Sequence, residues 1–196
     1  MRTKTGIMLL LLLLLLGVLI GSRAPFHGGG TVFHQHESYP DEQGMDAGFS
    51  ADGVLTTHLP IVILRTDGRT IPGAAEDTKE VLYCDYSIID NADHVNRSDG
   101  TPAQQGRMAI NIRGKSSRFF VKKQYALRTV NRQHEPQKTS LLGMPAESVW
   151  VLNGSYIDRS QLRNYILYNI AGEIMSYAPR CRLCEVFITN EKREPE

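Results

Sequence analysis

Apolar positions in this chain fall into one solid block and a series of short alternating runs. The block is Ile7 to Ile20, apolar throughout except at Gly17. The first short run, Leu59 to Leu64, reads as a strand, with a turn at Thr66-Asp67-Gly68-Arg69 and a break at Ile71-Pro72-Gly73. Glu80 to Ile89 is rich in β-formers and reads as a second strand. Met108 to Ile112 alternates, with Met108, Ile110 and Ile112 on one face. Val121 to Val130 follows, with Lys123, Tyr125 and Leu127 on one face and Lys122, Gln124 and Arg128 on the other. Trp150 to Leu152 is a further short strand. The period then changes. Leu162, Tyr165, Ile166, Ile170 and Ile174 form a helical stripe, with Asp158 as N-cap, Gln161 at the capping-box position and Pro179 beyond the end. Cys181 to Ile188 alternates again as a strand. Strands, one long helix and a final strand predict an α+β domain with an antiparallel sheet.

The segments between these elements are polar. Asp90 to Gln105 reads as a loop and contains the glycosylation sequon Asn96-Arg97-Ser98. Asn131 to Ser140 is a connector, and Leu141 to Pro145 a turn. No internal repeat is visible. Residues 25–57 have no hydrophobic period and contain Gly28-Gly29-Gly30, which predicts a disordered linker. His27, His34 and His36 fall in it, and a solvated tail is favoured over a metal site.

The N-terminal block has the layout of a secretory signal peptide. Arg2 and Lys4 precede it, and Gly21-Ser22-Arg23-Ala24 supplies small residues for cleavage after Ala24. The run is short for a membrane span, which takes about 20 residues. An uncleaved anchor is the alternative. Export to the cell envelope, periplasm or exterior is expected, with residues 1–24 as signal peptide and 58–196 as the folded domain.

Length and charge narrow the classes. The chain has 196 residues and a net charge of +1. What remains after the signal segment is of single-core size, and overall charge gives no argument for nucleic acid or a membrane surface. Three cysteines, Cys84, Cys181 and Cys184, cannot form a fully paired disulfide framework. Zinc would need further ligands around Cys181-x-x-Cys184. On a strand those two cysteines point to opposite faces. Buried small apolar residues are the favoured reading.

Charge is concentrated in one place. From Arg107 to Arg132 there are eight Lys or Arg residues and no Asp or Glu. At its centre lies Arg113-Gly-Lys-Ser-Ser-Arg-Phe-Phe-Val-Lys-Lys-Gln-Tyr125, a small-residue turn running into a strand. Such a cationic turn suits a phosphate. A solvated strand edge, where lysines discourage aggregation, is the competing reading. No helix-turn-helix, finger spacing or aromatic interleaving supports nucleic acid. Lys123 faces with the apolar residues, where a lysine is costly unless something pairs with it.

Six segments, in order, resemble the CotH-type (spore coat protein H) family of exported atypical protein kinases. They are Leu59-Pro-Ile-Val-Ile with Thr66-Asp-Gly68 and Ile71-Pro72; Ser87-Ile-Ile-Asp-Asn91; Ile110-Asn-Ile-Arg-Gly-Lys-Ser-Ser117 with Lys122-Lys-Gln-Tyr125; Leu141-Leu-Gly-Met-Pro145 with Trp150; Tyr156-Ile-Asp158 with Leu162-Arg-Asn164; and Glu185-Val-Phe187. The resemblance implies a kinase-like fold transferring the γ-phosphoryl of ATP, with Mg²⁺, to Ser or Thr of a coat or envelope protein. It makes Arg113, Gly114, Lys115, Ser116 and Ser117 the phosphate-covering turn and Lys123 the phosphate lysine. Glu173 is the one carboxylate inside the predicted helix beyond its cap. It stands as the candidate partner of Lys123, with a surface role as the alternative. Asn169 occupies a position where the family often carries an acid, Val121 one where it usually has proline, and Lys115 one where it often has a small or polar residue. Metal-holding and proton-accepting carboxylates are expected from a second lobe absent from these residues. The leading expectation is the front part of a kinase, inactive by itself. The alternative is a non-catalytic coat or envelope binding module, and a nucleic-acid binder ranks last.

Overall fold

The computed structural model describes residues 47–73 and 80–190. The expected signal segment (1–24), the first part of the expected linker (25–46) and the tail 191–196 lie outside the described residues. Within the described part of the expected linker, β1 (Gly48–Phe49) pairs antiparallel with β2 (Leu55–Thr57). Ordered structure thus begins about ten residues earlier than the predicted boundary at His58. The reason is local. Leu55 and Thr57 are buried, and Phe49 makes an edge-to-face ring contact with Phe187, centroids 6.5 Å apart. One aromatic residue among glycines and serines carries no period, so the sequence signal was weak.

The main sheet has six strands in the order β8-β7-β6-β4-β3-β9. They are β3 (Ile61–Arg65), β4 (Leu82–Ile89), β6 (Gln104–Arg113), β7 (Gln124–Val130), β8 (Val149–Leu152) and β9 (Glu185–Thr189). From β8 across to β3 every pair is antiparallel. The last pair is not. β9 runs parallel to β3, Ile61 opposite Glu185 and Arg65 opposite Thr189. The α+β class holds, with one parallel edge on an otherwise antiparallel sheet.

Register explains the core. Leu82 lies opposite Ile110, and Ile110 opposite Leu127. Cys84 lies opposite Met108. These residues share one face with Val62, Leu64, Tyr86 and Ile88, and all are buried. Loops close this face. Leu141 is buried in it, and Ile71, Leu142 and Cys184 pack against it. Ile110 and Leu64 have no exposed surface. Burying such a side chain contributes about 1.5–3 kcal/mol.

Several boundaries differ from the pattern reading. β6 reaches back to Gln104, because Gln104 to Arg107 find backbone partners on β4 despite their polarity. β7 starts at Gln124 rather than Val121, and β9 at Glu185 rather than Cys181. The helix, α1 (Arg163–Ile174), starts one residue into the predicted stripe and stops five residues before Pro179. Its stripe does not face the core. Ile166 is 49% exposed, Ile170 51% and Ile174 65%, and Gly172 is the buried residue of the helix. No helix among the described residues is long and apolar enough to cross a membrane.

The polar loop 90–105 holds a two-residue strand, β5 (Asn96–Arg97), paired with β2. Asn96 of the sequon is fully buried. Its Oδ1 accepts the Asn91 N–H at 2.8 Å, and its Nδ2 donates to the Leu59 and His58 carbonyls at 3.1 and 3.4 Å. In the folded chain it is a structural plug between two loops.

None of Cys84, Cys181 and Cys184 is joined in a disulfide, and Cys84 is buried. Burial pushes the Cys84 thiol up to about 12. Thiolate, the reactive form, is therefore scarce at ordinary pH. Cys84 is expected to resist iodoacetamide at pH 8 in the native protein and to label once urea unfolds it, as read by mass spectrometry of the Cys84 peptide. Native labelling as fast as that of a free cysteine would contradict its place in the core.

Candidate functional site

The basic stretch is the tip of the β6–β7 hairpin. Strand pairing ends at Arg113 opposite Gln124, and residues 114–123 form the connection. Gly114 turns the chain out of β6 with φ of 103°. An added Cβ there would push on the Ser117 hydroxyl, and the positive φ is what favours glycine. Ser117–Phe119 is a 3-10 turn, closed by the Phe119 and Phe120 amides donating to the Ser116 and Ser117 carbonyls. Those two amides are committed to the turn. An anion here would meet the cations and the serine hydroxyls.

Arg113, Lys115, Ser116 and Lys122 are exposed, and Ser117, Arg118 and Lys123 half-buried. The hairpin thus gathers the predicted residues Arg113, Gly114, Lys115, Ser116, Ser117 and Lys123 at one end of the sheet. Lys123 sits one residue before β7, in line with Tyr125 and Leu127. Its ammonium donates to the Arg118 carbonyl at 2.8 Å. That bond offsets part of the desolvation cost of a half-buried cation. It also folds the turn back over its own strand. Lys123 is therefore bonded within its own hairpin. Glu173 is exposed in the last turn of α1.

Three contacts absent from the sequence reading hold the tip. The Phe120 and Tyr156 rings stack with centroids 5.3 Å apart and planes at 28°. Gly154 is buried against the strand entry; a Cβ on it would lie 2.5 Å from the Lys123 carbonyl oxygen and 3.2 Å from Lys122 Cγ. The Arg118 guanidinium lies 5.0 Å from the centre of the Phe119 ring. Asn153-Gly-Ser155 signalled only a strand end, since a close backbone approach leaves no mark beyond the glycine itself.

Beyond Tyr156 the loop is organised by Asp158. Its Oδ1 accepts from the Ser160 N–H and hydroxyl, and its Oδ2 from the Arg163 N–H at 3.0 Å. The Arg163 side chain approaches the same carboxylate at 3.4 Å. The Ser160 hydroxyl, then the Arg163 amide, holds the Asp158 carboxyl below the usual carboxylate range. Asp158 thus caps α1, but from five residues upstream, with Leu162 and not Asp158 at the N-cap position. Gln161 turns the chain with a φ of 57° and makes no capping box.

Among the described residues, no cluster of three or more His, Cys, Asp or Glu side chains is placed to hold a metal ion. The side chains gathered at the hairpin tip are cations and hydroxyls, which suit an anion.

Residues 110–193 match the family model described as CotH kinase protein. That stretch is similar to the CotH family. It begins in β6 at Ile110 and takes in the basic turn, β7, β8, the loop that follows β8, α1 and β9. The CotH-like segments before Ile110 lie outside the match. Comparison with curated proteins and with solved structures finds no match.

Proposed function

We propose that this CotH-type chain is the nucleotide-gripping part of an exported protein kinase. ATP is the ligand, with its phosphates on Arg113, Gly114, Lys115, Ser116, Ser117 and Lys123. The family reaction is γ-phosphoryl transfer to Ser or Thr of a coat or envelope protein, with Mg²⁺ held by carboxylates outside the described residues. The observation that carries the reading is the hairpin tip, where five cations fall between Arg113 and Lys123 with no acid among them. On this reading the grip binds nucleotide and does not catalyse by itself. This is also the behaviour of the second reading, a non-catalytic binding module of the envelope.

Calorimetric titration of the purified protein with ATP tests the grip. ATP and inorganic tripolyphosphate are expected to compete for one site, adenosine to have no effect, and affinity to weaken between 50 and 200 mM salt. Lack of heat or competition at millimolar ATP sinks the reading. Displacement of ATP by a single-stranded oligonucleotide at matched phosphate concentration would favour nucleic acid instead. Robust phosphorylation of a general protein substrate with Mg-ATP would overturn the claim that the grip alone does not catalyse.

A further inference from the structure

We propose that Gly154 and Tyr156 are positioning residues that clamp the basic turn and fix where Lys123 stands. The proposal deepens the phosphate reading, on which it rests for what the turn holds. The clamp itself rests on geometry alone.

A ten-residue hairpin connection carrying four cations, with Arg113 at its start, repels itself and has little apolar surface of its own to order it. Two points outside the hairpin restrain it. Phe120, at the C-terminal end of the 3-10 turn, stacks on Tyr156. Lys122 and Lys123 run against Gly154 at a distance that only a residue without a side chain permits. A third restraint is internal, the bond from Lys123 to the Arg118 carbonyl. Tyr156 is 51% exposed, so its ring is not a core residue, and its packing on Phe120 is what gives it a place.

The clamp is fixed at its other end as well. Asn153 Oδ1 accepts the Ser155 N–H, the Asp158 N–H donates to the Ser155 carbonyl, and Asp158 holds the first amide of α1. A continuous chain of contacts therefore joins the basic turn to the start of the helix. Anything that shifts α1 moves the ring on which the turn rests.

Hydrogen exchange on the purified protein tests this directly, because the Phe119 and Phe120 amides close the 3-10 turn. Tyr156→Ala is expected to speed exchange at those two amides about tenfold and leave the Ile110 amide in the sheet unchanged. ATP affinity should fall about fivefold. Tyr156→Phe keeps the stack and should restore both readouts. Gly154→Ala, which forces the turn away, should give the same exchange pattern as Tyr156→Ala. Unchanged exchange in Tyr156→Ala overturns the proposal, as does failure of Tyr156→Phe to rescue. A native protein that binds no ATP yet shows the exchange response sinks the phosphate reading and supports the clamp.

Discussion

Reversing Lys115 and Lys122 to glutamate together is expected to weaken ATP binding about thirtyfold while leaving the fold intact. Both side chains are exposed and lie in the hairpin connection, outside the strands, so neither holds the sheet together. Two unit charges about 5 Å apart in water interact by about 1 kcal/mol. Each reversal changes the charge by two, so the pair shifts the interaction with a single phosphate charge by about 4 kcal/mol before screening. At about 0.15 M salt the screening length is about 8 Å, and about half of that survives. A loss of about 2 kcal/mol is roughly thirtyfold in Kd. Lys138→Glu is the control. It reverses one charge against the double variant's two, on the connector, where Lys138 lies 3.9 Å from Glu147 and is 71% exposed, and it should leave Kd nearly unchanged. A loss in the control about half that of the double variant, in free energy, would show a response to net charge and not to the turn. A loss that fails to shrink at higher salt would rule out a phosphate contact.

The hairpin was legible in the sequence because two independent signals coincide there. Alternation marks β6 and β7, and the run of cations without acids marks the tip between them. The facing of Lys123 followed from the same alternation, and it is half-buried in line with Tyr125 and Leu127. Its bond to the Arg118 carbonyl was not legible, since it depends on how the 3-10 turn folds back. Val121 was read as the start of a strand, yet it is exposed together with Phe119, and Phe120 stacks on Tyr156. Composition cannot separate an apolar residue that pairs in a sheet from one that stacks on a distant loop. Asp158 was read as the N-cap, but the turn through Ser160 and Gln161 delays the helix, so Leu162 takes that position and Asp158 bonds the first helical amide from five residues upstream.

The helical stripe shows the converse. Its spacing is real, and α1 forms where the stripe lies, but periodicity reports only that a helix has an apolar side. Here that side is the exposed one, and the core is closed by Leu141, Leu142 and Ile71 from loops whose short apolar clusters carry no period. The strand β9 was read, but its parallel direction was not, for a related reason. Val186 and Ile188 alternate as any half-buried edge strand would, and alternation does not encode the direction of a partner. Polar Gln104 to Arg107 joined β6 because their backbone groups were opposite those of β4, which hydrophobicity cannot signal.

Asn96→Ala is expected to destabilise the protein by about 2–4 kcal/mol, more than any surface change. Asn96 has no exposed surface, and its amide serves both loops around it. Oδ1 takes the Asn91 N–H, while Nδ2 reaches the Leu59 and His58 carbonyls. Leu59 leads directly into β3, so the plug fixes the entry to a central strand. Alanine leaves a donor and an acceptor without partners in a place that water does not reach, at about 1–3 kcal/mol each. Asn96→Leu separates packing from hydrogen bonding, since leucine fills a similar volume but bonds nothing. It should be no better than alanine. If leucine restores stability in urea melts, the residue acts by volume alone and the hydrogen-bond account fails. The same geometry bears on the sequon. The amide nitrogen that would carry a glycan is the one donating to Leu59 and His58, so a sugar and this fold are incompatible at Asn96. Passage through a glycosylating compartment should therefore give folded protein without a sugar at Asn96, and any modified fraction should be unfolded by hydrogen exchange and proteolysis. Protease-resistant, correctly folded protein carrying a glycan at Asn96 would refute the buried placement.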